Sequence, residues 1–158
     1  LSTPGASAAV TVETAAEACL LLANARKAAF SVATQGGLAQ GMSLLQDALS
    51  LQPLSHDLLS DLAALSLAAG ELESARSYAE QALALQPDHG PSLYALGFAL
   101  SGLGCLRQAR QVFIFLGSGD ARASLMAEAP DLSPLVLAEL ARLEAVLASP
   151  GLGFRRQG

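Results

Sequence analysis

The chain has 158 residues, of which Ala and Leu supply 32 each, while Val, Ile and Thr together supply 11 and aromatic residues make up 4%. Strands draw on β-branched and aromatic side chains, so this balance excludes a sizeable sheet and predicts an all-α protein. Nine Lys and Arg against 14 Asp and Glu leave a net charge of -5. That is the wrong sign for a partner held through its phosphates, whether nucleic acid or an anionic membrane.

In chain order, residues 1–10 are small and polar and predict a flexible lead-in. The opening LSTPGASAAVTV has no positive charge and no long apolar run, so it does not read as a signal peptide, and a cytoplasmic location is expected. The first residue is Leu1 rather than Met, which suggests a trimmed or partial chain. Thr14 with Glu17 has the spacing of a capping box and predicts a helix start there.

A repeat then organises residues 22–123. The stretch Ala48-Leu49-Ser50-Leu51-Gln52-Pro53 returns 34 residues later as Ala82-Leu83-Ala84-Leu85-Gln86-Pro87. At the same offset Gly36, Gly70 and Gly104 align, as do Leu59 with Leu93, Leu62 with Leu96, and Ala75 with Ala109. Three frames follow, 22–55, 56–89 and 90–123. In the second, Leu58, Leu59, Leu62, Leu65 and Leu67 recur at helical spacing, and Gly70 is placed to end that helix in a left-handed conformation. Ala75, Ala79 and Ala82 form a stripe of small side chains on the next helix, and Pro87 ends it. Each frame is thus a helical hairpin that cannot bury its apolar face alone, and consecutive frames must stack.

Beyond the frames, Ser133-Pro134 reads as an N-cap followed by Pro at the first helical position. Val136, Leu140, Leu143 and Leu147 then line one face of a helix over 133–148 that caps the stack. Residues 149–158 predict a flexible end, so 11–148 is read as one domain. The charge-free run from His89 to Leu106 holds Pro91 and four glycines and fits a repeat better than a membrane span.

Little here points to catalysis. His56 and His89 fall at repeat boundaries and are expected to be solvated turn residues, without a metal or catalytic role. Cys19 and Cys105 lie in apolar runs without CxxC pairing and read as small core residues, not as ligands or a disulfide. Glu71 and Glu73 are two apart and diverge on a helix. The chain is therefore not expected to be an enzyme, and no cofactor is expected.

The frames resemble the tetratricopeptide repeat (TPR) family. Its pattern is met by Leu93, Leu96-Gly97, Leu100, Gly104, Ala109 and Phe113 in the third frame, and by Leu59, Leu62-Ala63, Gly70, Ala75, Ala79, Ala82 and Pro87 in the second. The first frame offers Ala25, Ala28-Ala29, Gly36, Gly41, Leu45, Ala48 and Pro53. Two places depart: Ala79 stands where an aromatic is usual, and Ala121 where the third frame should have Pro. The resemblance implies a right-handed superhelix with a leader helix, three repeats and a capping helix. It implies a concave groove lined by Arg26, Phe30 and Thr34 from the first repeat, Asp57, Ser60, Ala64 and Leu67 from the second, and Tyr94, Phe98 and Ser101 from the third. The places where some TPR modules grip a C-terminal carboxylate hold Arg26, Phe30, Asp61, Pro91 and Ala95, too few cations and amides for that task. An extended or helical apolar segment of a protein partner fits better.

The layout as a whole resembles the class II chaperones of bacterial type III secretion, which hold translocator proteins before export. Some of these pair through their N-terminal helix, here Glu13 to Phe30, so a homodimer is implied. The alternative is a TPR adaptor or scaffold subunit of a larger assembly.

Overall fold

A computed structural model describes residues 4–149, with side chains from Ala16 onward except that of Cys19. Every regular element among them is helical: α1 Pro4–Thr34, α2 Leu38–Leu51, α3 His56–Ala68, α4 Leu72–Leu85, α5 Gly90–Gly102, α6 Leu106–Leu116, α7 Gly119–Glu128, a 3-10 turn Pro130–Leu132, and α8 Ser133–Ala148. None of the described helices is long and apolar enough to cross a membrane.

The periodic glycines set the joints. Gly36, Gly70 and Gly104 have φ of +93°, +77° and +83°, a conformation that a side chain with a Cβ resists. Around each, the same pair of bonds closes the preceding helix. Gly37 N–H donates to Val32 O at 3.0 Å, Glu71 N–H to Ser66 O at 2.9 Å, and Cys105 N–H to Leu100 O at 2.9 Å. The glycine amides themselves reach Ala33, Leu67 and Ser101 carbonyls, each at 3.1 Å. This is the Schellman arrangement, in which a left-handed residue lets the chain satisfy the last carbonyls of a helix and turn back. Three such closures at a 34-residue step give three hairpins built to one plan.

The chain divides into two compact units, Leu1–Pro53 and Leu54–Gly158. In the first, α1 packs on α2. Ala29 and Leu45 are fully buried, Gly41 of α2 is buried as well, and Gln52 Nε2 donates to the Ala18 carbonyl at 3.1 Å. The expected helix start at Thr14 is overturned, because α1 begins at Pro4 and already runs through that stretch. Pro4 at a helix start and Ala6, Ala8 and Ala9 behind it favour helix strongly, so the helix extends upstream into the segment predicted to be flexible.

In the second unit α3 packs on α4, and α5 packs on both, which is the stacking of one hairpin against the next. Ala63, Ala79 and Ala95, one from each helix, meet in a small cluster beside Tyr78 and Leu96. Small side chains here let three helices approach closely, which explains why Ala79 replaces the usual aromatic. Ser55 caps α3, its Oγ accepting from Leu58 N–H at 3.2 Å. The larger core lies further on, where Leu93, Leu100, Ala109, Phe113, Leu116, Ala121, Leu125, Val136 and Leu143 are buried together.

Two expectations about the end of this unit need correction. The third frame breaks early: without the Pro of the other two, α6 stops at Leu116 and the chain turns through Gly117-Ser118 into α7, a helix the sequence pattern did not predict. Ser133 is not a cap, since it already has helical torsions (φ -58°, ψ -44°) and makes no capping bond. The 3-10 turn over Pro130–Leu132 leads directly into α8 and leaves no bare helix end for it to cap. Val136 and Leu143 are buried and Leu140 and Leu147 half-buried, so α8 presents the predicted face to α6. Residues 150–158, predicted to be a flexible end, lie outside the described residues.

Candidate functional site

The predicted groove residues of the second unit lie on α3 and α5. On α5, Tyr94 and Phe98 are one turn apart and half-buried, with ring centroids 4.7 Å apart and planes tilted by 48°. Phe98 also meets the buried Phe113 edge-on at 5.0 Å, so one side of this pair belongs to the core and the other faces out. Burial pushes the Tyr94 hydroxyl above its ordinary pKa, leaving it a neutral donor at physiological pH. On α3, Ala64 is exposed and Leu67 half-buried, while Ser60 is buried.

Ser101 is engaged inside the molecule. Its Oγ is in hydrogen-bond contact with Glu139 Oε2, and Arg142 Nη2 donates to it at 3.0 Å, both from α8. Arg142 also donates to Glu139 through Nε at 2.8 Å and Nη2 at 2.7 Å. This arginine, with help from Ser101, holds the Glu139 carboxyl below its usual range against a smaller opposing effect of burial. The C-terminal part of the α5 row is thus covered by α8, leaving Tyr94 and Phe98 as its accessible part. In the first unit, Arg26 and Phe30 are half-buried on α1, and exposed Thr34 turns its hydroxyl back to the Ser31 carbonyl at 2.9 Å.

Asp57 belongs to a different grouping, which overturns the expectation for the histidines. His89, the residue preceding α5, is 4% exposed and not a solvated turn residue, and half-buried His56 opens α3 beside it. Their rings meet edge-on at 4.9 Å. His89 Nδ1 lies 2.7 Å from Ser92 Oγ. His89 Nε2 lies 3.1 Å from Glu128 Oε2 and 3.7 Å from Asp57 Oδ1, and His56 Nε2 lies 3.5 Å from that same oxygen. Burial is the largest influence on His89 and lowers its pKa, with Glu128 and Asp57 opposing and His56 assisting. The sequence reading missed Glu128 altogether. The signal that was present is the repeat itself, since His56 and His89 sit at successive frame junctions, and stacking brings successive junctions side by side. Cys105 is half-buried against the larger core, and the side chain of Cys19 lies outside those described.

Hairpins joined by glycine turns and stacked through small side chains define the class: the chain has the fold of a TPR domain. Solved structures that share it include the first TPR domain of Spaghetti (RPAP3) bound to an HSP90 peptide, with a TM-score of 0.66 at 18% identity, covering 84% of this chain and 96% of that one. The Yersinia enterocolitica type III secretion translocator chaperone SycD, in an alternative dimer, matches with a TM-score of 0.67 at 18% identity, over 81% of this chain and 95% of its own. SycD in complex with a peptide of the translocator YopD matches at 0.64 and 17% identity, over 78% and 92%. At such identities the likeness is one of fold. No protein-family profile matches the sequence, and no curated protein matches it.

Proposed function

We propose that this chain is a protein-binding module that holds an extended or helical apolar segment of a partner, and that it serves as a translocator chaperone of type III secretion. The observation that carries the reading is the Tyr94–Phe98 pair, half-exposed on α5 and braced from behind by Phe113. Rigid aromatic side chains backed by a packed core are the usual anchors of a protein interface. Ala64 and Leu67 on the neighbouring α3 extend an apolar surface, and Phe30 on α1 is the aromatic member proposed for the first unit. The fold shared with SycD, solved with a YopD peptide, supports the finer reading. RPAP3 has the same fold with an HSP90 tail, but buried Asp61, Pro91 and buried Ala95 on α3 and α5 offer no cation to a terminal carboxylate. That favours an apolar internal segment over an acidic tail.

Co-expression with translocator proteins tests this directly. Clients should be soluble only in the presence of this chain, and a client equally soluble without it would count against the chaperone role. With a soluble client peptide in hand, Tyr94→Ala should weaken binding by about 1–3 kcal/mol in a polarisation titration, the range expected for losing an aromatic anchor. Unchanged affinity would remove this face from the site.

Exposed Ile114 and Phe115 on α6, with exposed Leu135 and Leu137 on α8, favour a second reading as a scaffold subunit with a permanent neighbour. A homodimer through α1 is proposed on the strength of Leu20 and Leu21, which are 67% and 62% exposed. Sedimentation at increasing concentration separates a self-pairing chain from a monomer.

A further inference from the structure

We propose that His56, Asp57, His89 and Glu128 form a binding site for one divalent transition-metal ion of the zinc class, which ties together the ends of α3, α5 and α7. The nearest donor separations are 3.1 Å between His89 and Glu128, 3.5 Å between His56 and Asp57, and 3.7 Å between His89 and Asp57. Zinc with bonds of about 2.0–2.1 Å in a tetrahedral site places its donors about 3.3 Å apart, close to these three separations. The donor atoms of His56, Asp57 and His89 all lie within 4.8 Å of one another, and Glu128 joins this trio through His89.

The state of His89 is the second, independent observation. Its side chain is only 5% exposed, and its Nε2 is buried without a hydrogen bond although it faces two carboxylates. Ser92 Oγ holds the other ring nitrogen at 2.7 Å, the outer-shell contact that orients a metal-bound imidazole. If Nδ1 carries the proton toward Ser92, Nε2 presents a lone pair to carboxylate oxygens, an arrangement that repels until a cation sits between them. Two neutral imidazoles and two carboxylates sum to a charge that a dication balances. Imidazole nitrogens in half of the set select zinc, cobalt, nickel or copper over magnesium and calcium, which want oxygen donors. The site lies away from Tyr94 and Phe98 in function, since its effect is to fasten three helix ends together.

The test uses the whole chain, stripped with a chelator and dialysed, then titrated with zinc alone and with cobalt alone. One ion per chain should bind, cobalt should show the intense visible absorption of a tetrahedral site, and zinc should raise the melting temperature by several degrees while magnesium does not. Half-exposed His56 and exposed Glu128 can be changed with little risk to folding, so His56→Ala and Glu128→Gln carry the assignment even where His89→Gln does not fold. Each should weaken zinc binding by about tenfold or more, with the circular dichroism of the wild type retained. Absence of zinc binding to the wild type, or equal binding by both variants, would overturn the site.

Discussion

At Gly97 the fit is tight enough to be decided by single atoms. A Cβ built there lies 2.6 Å from two ring atoms of Phe113, which is fully buried and pressed against Phe98. Gly97→Ala should therefore destabilise the protein by about 1–3 kcal/mol in chemical denaturation, because the ring has nowhere to go. Gly102 gives the contrast. Its Cβ would meet the tip of half-buried Leu72 at 2.7 Å, and that flexible end can turn aside. Gly102→Ala should change stability little. Gly97 and Phe113 were each legible as positions of the repeat pattern in the third frame. The polar cluster was not, because Glu128 comes from a helix without any repeat counterpart.

Helix ends marked by Gly and Pro at a fixed step were legible, and the structure closes all three hairpins by the same bonds. What escaped was α7. It buries only Ala121 and Leu125, so it carries too little apolar periodicity to stand out. The opposite error affected α1, where a capping pattern at Thr14 was outweighed by helix-forming residues on both sides. The α8 helix was placed by its apolar face, yet its polar tie to Ser101 depended on tertiary structure. That tie gives a pH dependence. Glu139 is held below its usual range in the folded state, chiefly by Arg142, so its contribution is present above the ordinary glutamate pKa and is lost as pH falls through the folded value. Melting followed between about pH 6 and pH 3 should show the acid loss of the wild type reduced in Glu139→Gln, which cannot titrate. Identical pH profiles would show that the carboxylate contributes nothing to the fold.

At the scale of the whole molecule, the division after Pro53 places the two core clusters described above within the second unit. Repeat arrays draw stability from each hairpin and its immediate neighbours, without contacts distant in sequence. A fragment spanning Leu54–Ser149 should therefore keep its helical spectrum and melt cooperatively, and a featureless melt would show that the first unit is required. The all-α class was open to reading from Ala and Leu content alone, whereas the identity of any partner depends on surface detail that composition does not encode.

The three left-handed glycines have a genetic consequence. Because each joint is closed by the same local bonds, copying or excising one 34-codon stretch in frame leaves every remaining joint intact. Such a gene can grow or shrink by whole cassettes, each carrying its own closing glycine.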